Sequence, residues 1–128
     1  MMEVTNFSSS SEEVTGHPVL EPAALMSNEI SSEFDGIAVS ASEVTFRPGE
    51  HTKFHTHDGV QILYVTEGNG IVANRESEEE VSEGDVILIS RGEEHWHGNT
   101  EDAEEPFSHV YFIAKYEGTE ATPLDSPE

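Results

Sequence analysis

The chain has 128 residues, of which 27 are acidic and five are basic, so its formal net charge is −22; it contains no cysteine. This length predicts a single domain with one core, and the cysteine count excludes disulfides, zinc–thiolate sites and cysteine nucleophiles. The negative charge excludes nucleic acid as a natural partner, because phosphates would be repelled, and it disfavours anionic membranes.

The residue pattern predicts a flexible arm over residues 1–18, an all-β domain over 19–116 and a flexible tail over 117–128. Within the domain, alternating apolar residues between turn residues predict short strands. They are a weak strand or turn at 19–26, one or two strands within 36–46, and strands at 60–66, 71–74, 79–82, Val86–Ile89 and Phe107–Tyr116. Many short strands separated by turns indicate a barrel or a sandwich.

His55, His57, Gln61 and His95 form the pattern with the clearest chemistry. Alternate side chains of a strand share a face, so one extended run over 53–65 would point the first three the same way. A helix would instead turn positions 55 and 57 about 200° apart. His95 would come from a separate segment, after a strand and a loop. The alternative is that these histidines are packed in the core or lie on the surface. That explanation is adequate for a single histidine, but less so for three that share a parity with Gln61.

Three imidazoles and one carboxamide are suitable ligands for Mn, Fe, Co, Ni, Cu or Zn. All four groups are electrically neutral, so a divalent ion bound by them would keep its full charge. Such an ion is a strong Lewis acid and favours an anionic ligand at its open positions. A Glu at position 61 would have cancelled part of that charge, so Gln61 has a chemical consequence.

Two segments, Gly49–Gly68 and Gly84–Asn99, resemble the two sequence motifs of the cupin superfamily. The first motif is matched by Gly49, His55, His57, Gln61 and Gly68, with Gln61 where the family usually has Glu. The second is matched by Gly84, Gly92, His95 and Asn99, with Ser90 where the family usually has Pro. The resemblance implies a double-stranded β-helix, or jelly-roll barrel. It also implies one divalent transition metal with four ligands: His55, His57, Gln61 and His95.

A narrower likeness, over about residues 30–116, is to the small single-domain cupins that include manganese-dependent hydroxynitrile lyases. These are often grouped with the cupins associated with carboxymuconolactone decarboxylases. The subfamily also has Gln in place of Glu and a histidine on a late strand, which His109 matches. The likeness implies Mn²⁺, with Fe²⁺, Ni²⁺, Co²⁺ or Zn²⁺ as alternatives. Asp58 and Val60 depart from the Pro and Gly usual there, which leaves the substrate open.

Three functions follow from the resemblance. The first is a small-molecule lyase of the hydroxynitrile lyase type, in which His109 moves a proton. The second is a dioxygenase of the quercetinase or small-thiol type, which Gln61 disfavours because it removes a carboxylate that could accept a proton. The third is a cupin that binds a small molecule without catalysis. By analogy, we also expect a homodimer that pairs through edge strands.

Other histidines carry weaker expectations. His97 shares parity with His95 and could orient a ligand, but a hydrogen-bonded loop residue is the preferred interpretation. His109 could alternatively be a core histidine with a satisfied hydrogen bond. His17 and His51 lie outside the motif positions and are expected to be exposed.

The acidic composition is interpreted as the surface of a halophilic protein, because molar salt would screen the self-repulsion of so many carboxylates. Disorder is the alternative explanation, and it fits only the two ends of the chain. The longest apolar run is far shorter than a membrane helix requires, and the first residues do not resemble a signal peptide. We therefore expect a cytoplasmic protein.

Overall fold

The computed structural model describes residues 2–7 and 11–128, and these residues form fourteen β-strands and no α-helix. The strands are β1 Ser11–Thr15, β2 Leu20–Glu21, β3 Ala23–Ser27, β4 Ile30–Phe34, β5 Ile37–Phe46, β6 His51–Thr52, β7 His55–Thr56, β8 Gly59–Glu67, β9 Asn69–Asn74, β10 Glu78–Ser82, β11 Val86–Ile89, β12 His95–Gly98, β13 Phe107–Tyr116 and β14 Thr122–Pro123. In the described part of the chain, no helix has the length and hydropathy to cross a membrane.

The strands form two seven-stranded sheets. Sheet A has the order β1-β3-β5-β13-β8-β11, and β4 also pairs with β5. Sheet B has the order β10-β9-β12-β6-β2, and β7 pairs with both β12 and β14. The core lies between the sheets and combines Phe46, Leu63 and Phe107 from sheet A with Val72 and Val81 from sheet B.

The predicted all-β jelly roll is confirmed, but the two sheets are not closed into a barrel. The predicted single run over 53–65 is broken, since β7 ends at Thr56 in sheet B and β8 begins at Gly59 in sheet A. The ladder of backbone hydrogen bonds between paired strands is therefore interrupted between Thr56 and Gly59. Gly59 allows β8 to approach β13 closely, because a Cβ there would lie 2.1 Å from the Ala114 carbonyl oxygen.

Both terminal segments contain paired strands. β1, inside the predicted arm, pairs with β3 along its whole length, and β14, inside the predicted tail, pairs with β7. Arg75 connects the tail to the domain, because it donates to the Asp125 carboxylate at 2.5 Å. Its guanidinium also stacks on Phe54, 3.6 Å from the ring centroid. Positions 1 and 8–10 of the arm lie outside the described residues, and the three-part division of the chain stays a prediction.

Candidate metal centre

His55 and His95 lie opposite each other in sheet B. They begin β7 and β12 and are direct partners in that antiparallel pair, which brings their ring centroids to 4.2 Å. His57 lies in the link between the two sheets, with its ring centroid 4.9 Å from that of His55. Gln61 reaches the same space from β8 in sheet A, where odd-numbered residues face inward. The predicted ligands therefore converge between the sheets, although the strand that carries them is interrupted.

The same local contact orients His55 and His95. The Nδ1 of His55 lies 2.8 Å from the Lys53 carbonyl oxygen, and the Nδ1 of His95 lies 2.8 Å from the Glu93 carbonyl oxygen. A carbonyl only accepts, so each Nδ1 carries the proton and donates it. Each Nε2 then keeps its lone pair for a bond to a metal. A hydrogen bond from the other ring nitrogen to a carbonyl is usual for metal-binding histidines. Sequence reasoning missed this pattern, although the carbonyl belongs in both cases to the residue two positions earlier.

Three buried polar atoms at this place lack a hydrogen-bond partner among the described residues. They are His57 Nε2, Gln61 Oε1 and His95 Nε2. A buried polar atom without a partner costs free energy, and each of these atoms can donate a lone pair to a cation. A divalent metal would satisfy all three, so the side chains present fit such an ion.

His97 adds a further candidate ligand. Ligand atoms of His55, His95 and His97 all lie within 4.8 Å of one another. The preferred interpretation of His97 as a loop residue was wrong: it lies on β12 and is 5 % exposed. The histidine cluster and the sequence motif together indicate a divalent-metal site, and the assignment of four ligands to His55, His57, Gln61 and His95 stays a prediction.

One hydrogen bond links His97 to His109. The Nδ1 of His97 and the Nε2 of His109 are 2.9 Å apart, and both rings are buried. Between two neutral rings only one nitrogen can donate. If His97 donates, its Nε2 has a lone pair for a metal and the Nδ1 of His109 carries a proton. If His109 donates, its own Nδ1 has the free lone pair and the Nε2 of His97 is protonated.

The two roles are therefore alternatives for neutral rings. His97 can be a ligand through Nε2, or His109 can be a base through Nδ1, but not both at once. The Nδ1 of His109 is buried without a hydrogen-bond partner in the described structure. A contact with its own backbone raises the pKa of the His109 ring, but burial lowers it by more.

Burial keeps the histidines of this cluster neutral. It lowers the pKa of His55 to about 2, that of His57 to about 4 and that of His109 to about 3. The same cause lowers the pKa of His95, and it lowers that of His97 well below the ordinary value. Neighbouring imidazoles add repulsion for His55, His57 and His97. Neutral imidazole is the form that binds a metal.

A cavity of about 420 Å³ is bordered by His55, His57, Gln61 and His109. Its wall also includes the apolar side chains Leu20, Val44, Phe46 and Ile113. His95 borders a separate, smaller cavity of about 150 Å³. A wider depression of about 730 Å³ near Asn69 and Glu105 contains none of these histidines. The 420 Å³ cavity is therefore the candidate substrate site.

Charged groups also border this cavity. Lys115 has no carboxylate partner within 4 Å in the described residues, whereas Arg47, Arg75 and Arg91 all form ion pairs. Tyr111 donates to Glu29 at 2.5 Å. Burial, together with this carboxylate, raises the pKa of the Tyr111 hydroxyl. The sequence did not single out Lys115 or Tyr111, since neither belongs to a motif.

His51 was expected to be exposed, and this was wrong. It is 6 % exposed, and its Nδ1 donates to the Thr52 carbonyl at 2.9 Å. It lies against Gly98, where an added Cβ would come within 2.3 Å of the His51 Cβ. This close contact of β6 with β12 supports the strand that begins at His95. His17 is exposed as expected, and it borders the cavity.

Comparison with known proteins supplies the wider context. Residues 42–108 match the family Cupin_2, described as a cupin domain. Over 66 residues the chain is 48 % identical to an (R)-mandelonitrile lyase from Granulicella tundricola. That match covers 50 % of this chain, and the chain spans only about half the length of that curated relative.

Solved structures with cupin folds superpose on the whole domain. A cupin-like protein from Thermotoga maritima has a TM-score of 0.76 at 24 % identity, covering 99 % of this chain and 92 % of that one. A predicted oxalate decarboxylase from the same organism has a TM-score of 0.70 at 17 % identity, covering 87 % and 97 % of the two chains. At these identities, the similarity establishes the fold.

Proposed function

This chain belongs to the cupin family, and from that premise we propose that it is a metal-dependent lyase acting on a small hydroxynitrile. The observation that carries the proposal is the set of buried lone pairs without partners on His57, Gln61 and His95. These atoms converge beside a cavity that also contains a second, hydrogen-bonded histidine pair. The partial identity with a mandelonitrile lyase supports the choice of substrate class.

The metal would be held by His55, His57, Gln61 and His95, and we propose Mn²⁺. When bound, a divalent ion supplies a Lewis acid that stabilises negative charge on a substrate oxygen or on cyanide. The chain's own contribution is a ligand set of zero net charge and fixed orientation. The carbonyl oxygens of Lys53 and Glu93 hold two of the rings with Nε2 available. Preorganised groups of this kind need no rearrangement during the reaction.

His109 would move the proton. Cleavage of a hydroxynitrile converts an alcohol and a nitrile carbon into a carbonyl and hydrogen cyanide. The hydroxyl proton passes to Nδ1 of His109, and the O–H bonding pair forms the carbonyl bond. The C–C bonding pair leaves with cyanide, which then takes the proton from His109. This requires His109 to donate through Nε2 to His97, so His97 acts as the positioning residue for the base.

The cavity supports a small substrate with an apolar group. Its inner wall is formed by the histidines and by apolar side chains such as Val44 and Ile113, a combination typical of small-molecule sites. Lys115 borders the cavity without a carboxylate partner in the described structure, and its charge contributes to the lowered pKa of His57. An ammonium at this position would stabilise the negative charge of the departing cyanide.

The proposal is tested by mixing the Mn²⁺-loaded protein with mandelonitrile and following benzaldehyde by absorbance. Metal-free protein in the same buffer is the matched control, since mandelonitrile also decomposes spontaneously. We expect faster release with the loaded protein and loss of the difference with a chelator. Equal rates in the two samples would overturn the lyase proposal, and oxygen uptake with a flavonol would then favour the dioxygenase alternative.

A further inference from the structure

The chain that follows β13 crosses from sheet A to sheet B. β13 ends at Tyr116 in sheet A, and β14 begins at Thr122 beside β7 in sheet B. Glu120 and Ala121 lie in this crossing and border the 420 Å³ cavity. We call residues 117–125 the strap. Because β13 pairs with β8 and β14 pairs with β7, the strap runs beside the link from β7 to β8, which joins the same two sheets.

The strap separates the cavity from a neighbouring depression. Glu120 borders both the 420 Å³ cavity and a depression of about 450 Å³, and so does His57 in the link between the sheets. Both residues therefore lie between the two spaces. Displacing the strap would join these spaces and would open the candidate metal centre beside His57. A wall that lies next to a predicted ligand controls what reaches the ion.

The far end of the strap is held by few and exposed bonds. β14 has only two residues, both exposed, and Pro123 has no amide hydrogen to donate to β7. Just beyond β14, backbone hydrogen bonds join Phe54 to Leu124 at 2.7 Å and to Asp125 at 2.9 Å. The exposed Asp125 carboxylate accepts from Arg75 at 2.5 Å. Segments with short pairing and exposed hydrogen bonds open locally at a lower free-energy cost than the core.

The near end of the strap combines a fixed attachment with a turn that has room to move. The Glu117 amide donates to the Gly36 carbonyl at 2.9 Å, and the amide and hydroxyl of Thr119 donate to the Tyr116 carbonyl at 3.2 and 2.7 Å. Between them, Gly118 has a φ of +82°, a conformation that favours glycine. An added Cβ at Gly118 would meet no described atom within 4 Å. The strap is therefore anchored to sheet A and can pivot at this turn when its far end is released.

We propose that the strap is a lid over the metal centre. Its β14 end detaches from β7 to admit a small molecule or to release the ion, and it docks again to close the cavity and exclude water. β7 holds the predicted ligand His55 between His95 of β12 and Pro123 of β14. The docked strap therefore also supports a ligand strand of only two residues. This lid rests on the proposed metal site, but it does not require the cleavage of a hydroxynitrile.

A reversible cross-link can hold the lid closed in the full chain. The chain has no cysteine, and Thr56 of β7 lies directly opposite Thr122 of β14. Opposed residues of antiparallel strands have Cα atoms about 4.5–5.5 Å apart, within the range of about 4.4–6.8 Å that a disulfide spans. Both threonines border the 450 Å³ depression and not the 420 Å³ cavity. The double variant Thr56→Cys/Thr122→Cys therefore locks the strap without filling the cavity.

Release of Mn²⁺ from the loaded double variant to an excess of chelator measures the opening of the lid. We expect the oxidised protein to release the ion at least about 10-fold more slowly than the reduced protein, because the disulfide opposes local opening. Thr122→Cys alone, treated with the same oxidant, is the matched control and should show no difference. Equal or faster release from the oxidised double variant, with the disulfide verified by mass spectrometry, would overturn the lid.

A second pair of variants tests the far attachment without a cross-link. Asp125→Ala removes the ion pair that joins the strap to Arg75 and should speed Mn²⁺ release about two- to fivefold, the range for an exposed ion pair. Glu94→Ala is the matched control, because it removes the other carboxylate partner of Arg75 and leaves the strap attached. Equal release from these two variants would count against the lid. Protein that binds no Mn²⁺ would refute the metal site and the lid with it, whereas bound Mn²⁺ that ignores both changes would refute only the lid.

Discussion

His97 Nδ1 and His109 Nε2 share one proton across 2.9 Å in the interior, so the two rings cannot choose their tautomers independently. Because both rings are neutral at ordinary pH, a free lone pair on one outer nitrogen means a proton on the other. The proposed base therefore depends on a residue that is itself close to the metal ligands. Which ring holds the free lone pair decides whether His97 positions the base or binds the ion.

Replacing His109 and His97 separately should distinguish these roles. We expect His109→Ala to keep its Mn²⁺ and to lose about 10²- to 10⁴-fold in the rate of mandelonitrile cleavage, the usual contribution of a proton-transfer group. His97→Ala should also keep the metal and lose a similar factor, because His109 is then free to adopt the wrong tautomer. The double variant should be no slower than either single variant, since the two residues act as a unit.

The metal content of the two variants shows whether His97 binds the ion or positions His109. If His97→Ala loses the ion while His109→Ala retains it, His97 is a ligand and His109 cannot accept a proton through Nδ1. The ¹⁵N shifts of the two rings in the metal-loaded protein offer an independent check, because a protonated and an unprotonated ring nitrogen differ clearly.

Removing a ligand should remove the metal. His55→Ala is expected to lower metal affinity by more than about 100-fold, above the usual effect of changing only an outer hydrogen bond to a ligand. His17→Ala is the matched control, because His17 borders the same cavity but its Nδ1 accepts from the Val19 amide at 3.1 Å. Elemental analysis of both purified variants measures the difference. Equal metal in His55→Ala and the unaltered protein would refute the site.

Gln61 should matter because its side chain is uncharged and leaves the charge of the bound ion uncancelled. Gln61→Glu is expected to bind the metal more tightly and to cleave mandelonitrile more slowly, because a carboxylate cancels part of the ion's charge. Without metal, this variant should melt at least about 5 °C lower, since a buried acidic group there lacks a donor. Gln61→Met, which has a similar size but no oxygen, should weaken metal binding instead. Calorimetric titration and melting curves measure both effects, and equal affinities in the three proteins would contradict the role.

The sequence predicted the central strands well because their pattern is local. Alternation predicted the strand Phe107–Tyr116 and one or two strands within 36–46, and the structure forms one long strand, Ile37–Phe46, there. Inward residues of both strands border the site. The break after Thr56 was not predicted, because a change of sheet leaves the parity of His55, His57 and Gln61 intact. Parity therefore identified residues that do converge, although the reason given for it, a single strand, was incomplete.

Short strands and ring contacts were beyond the sequence for a different reason. β1 and β14 have little apolar periodicity, so nothing in their own residues indicates them, and the partner of β14 lies more than sixty residues earlier in the chain. The bond between His97 and His109 joins two strands that are not neighbours in either sheet. Such a contact depends on the packing of the sheets on each other, which single-sequence periodicity does not encode.

The metal-free protein should lose stability in mild acid. Four buried histidines and the half-buried His57 have pKa values below the ordinary value; the four are His55, His95, His97 and His109. Below about pH 6.5 the unfolded chain binds protons that the folded chain does not, so the free energy of unfolding falls as pH falls. Each such histidine contributes up to about 1.4 kcal/mol per pH unit until its folded pKa is reached.

Urea unfolding between pH 7 and 4 checks this expectation. The loss should begin near the unfolded pKa of histidine and continue at least to about pH 4, the folded pKa of His57. Metal-saturated protein is the comparison, and its loss should be larger and steeper because acid also releases the ion. A metal-free protein with constant stability across this range would contradict the burial of neutral histidines.

Salt should decide whether the chain folds at all. At net charge −22 the folded state repels itself. Among the five basic residues of the described structure, only Arg47, Arg75 and Arg91 form ion pairs with carboxylates. We expect unfolding in dilute buffer and refolding in molar KCl, followed by circular dichroism at a protein concentration low enough to keep the chain monomeric. Full stability of the unaltered chain in dilute buffer would count against a halophilic surface and would leave the acidic composition without this explanation.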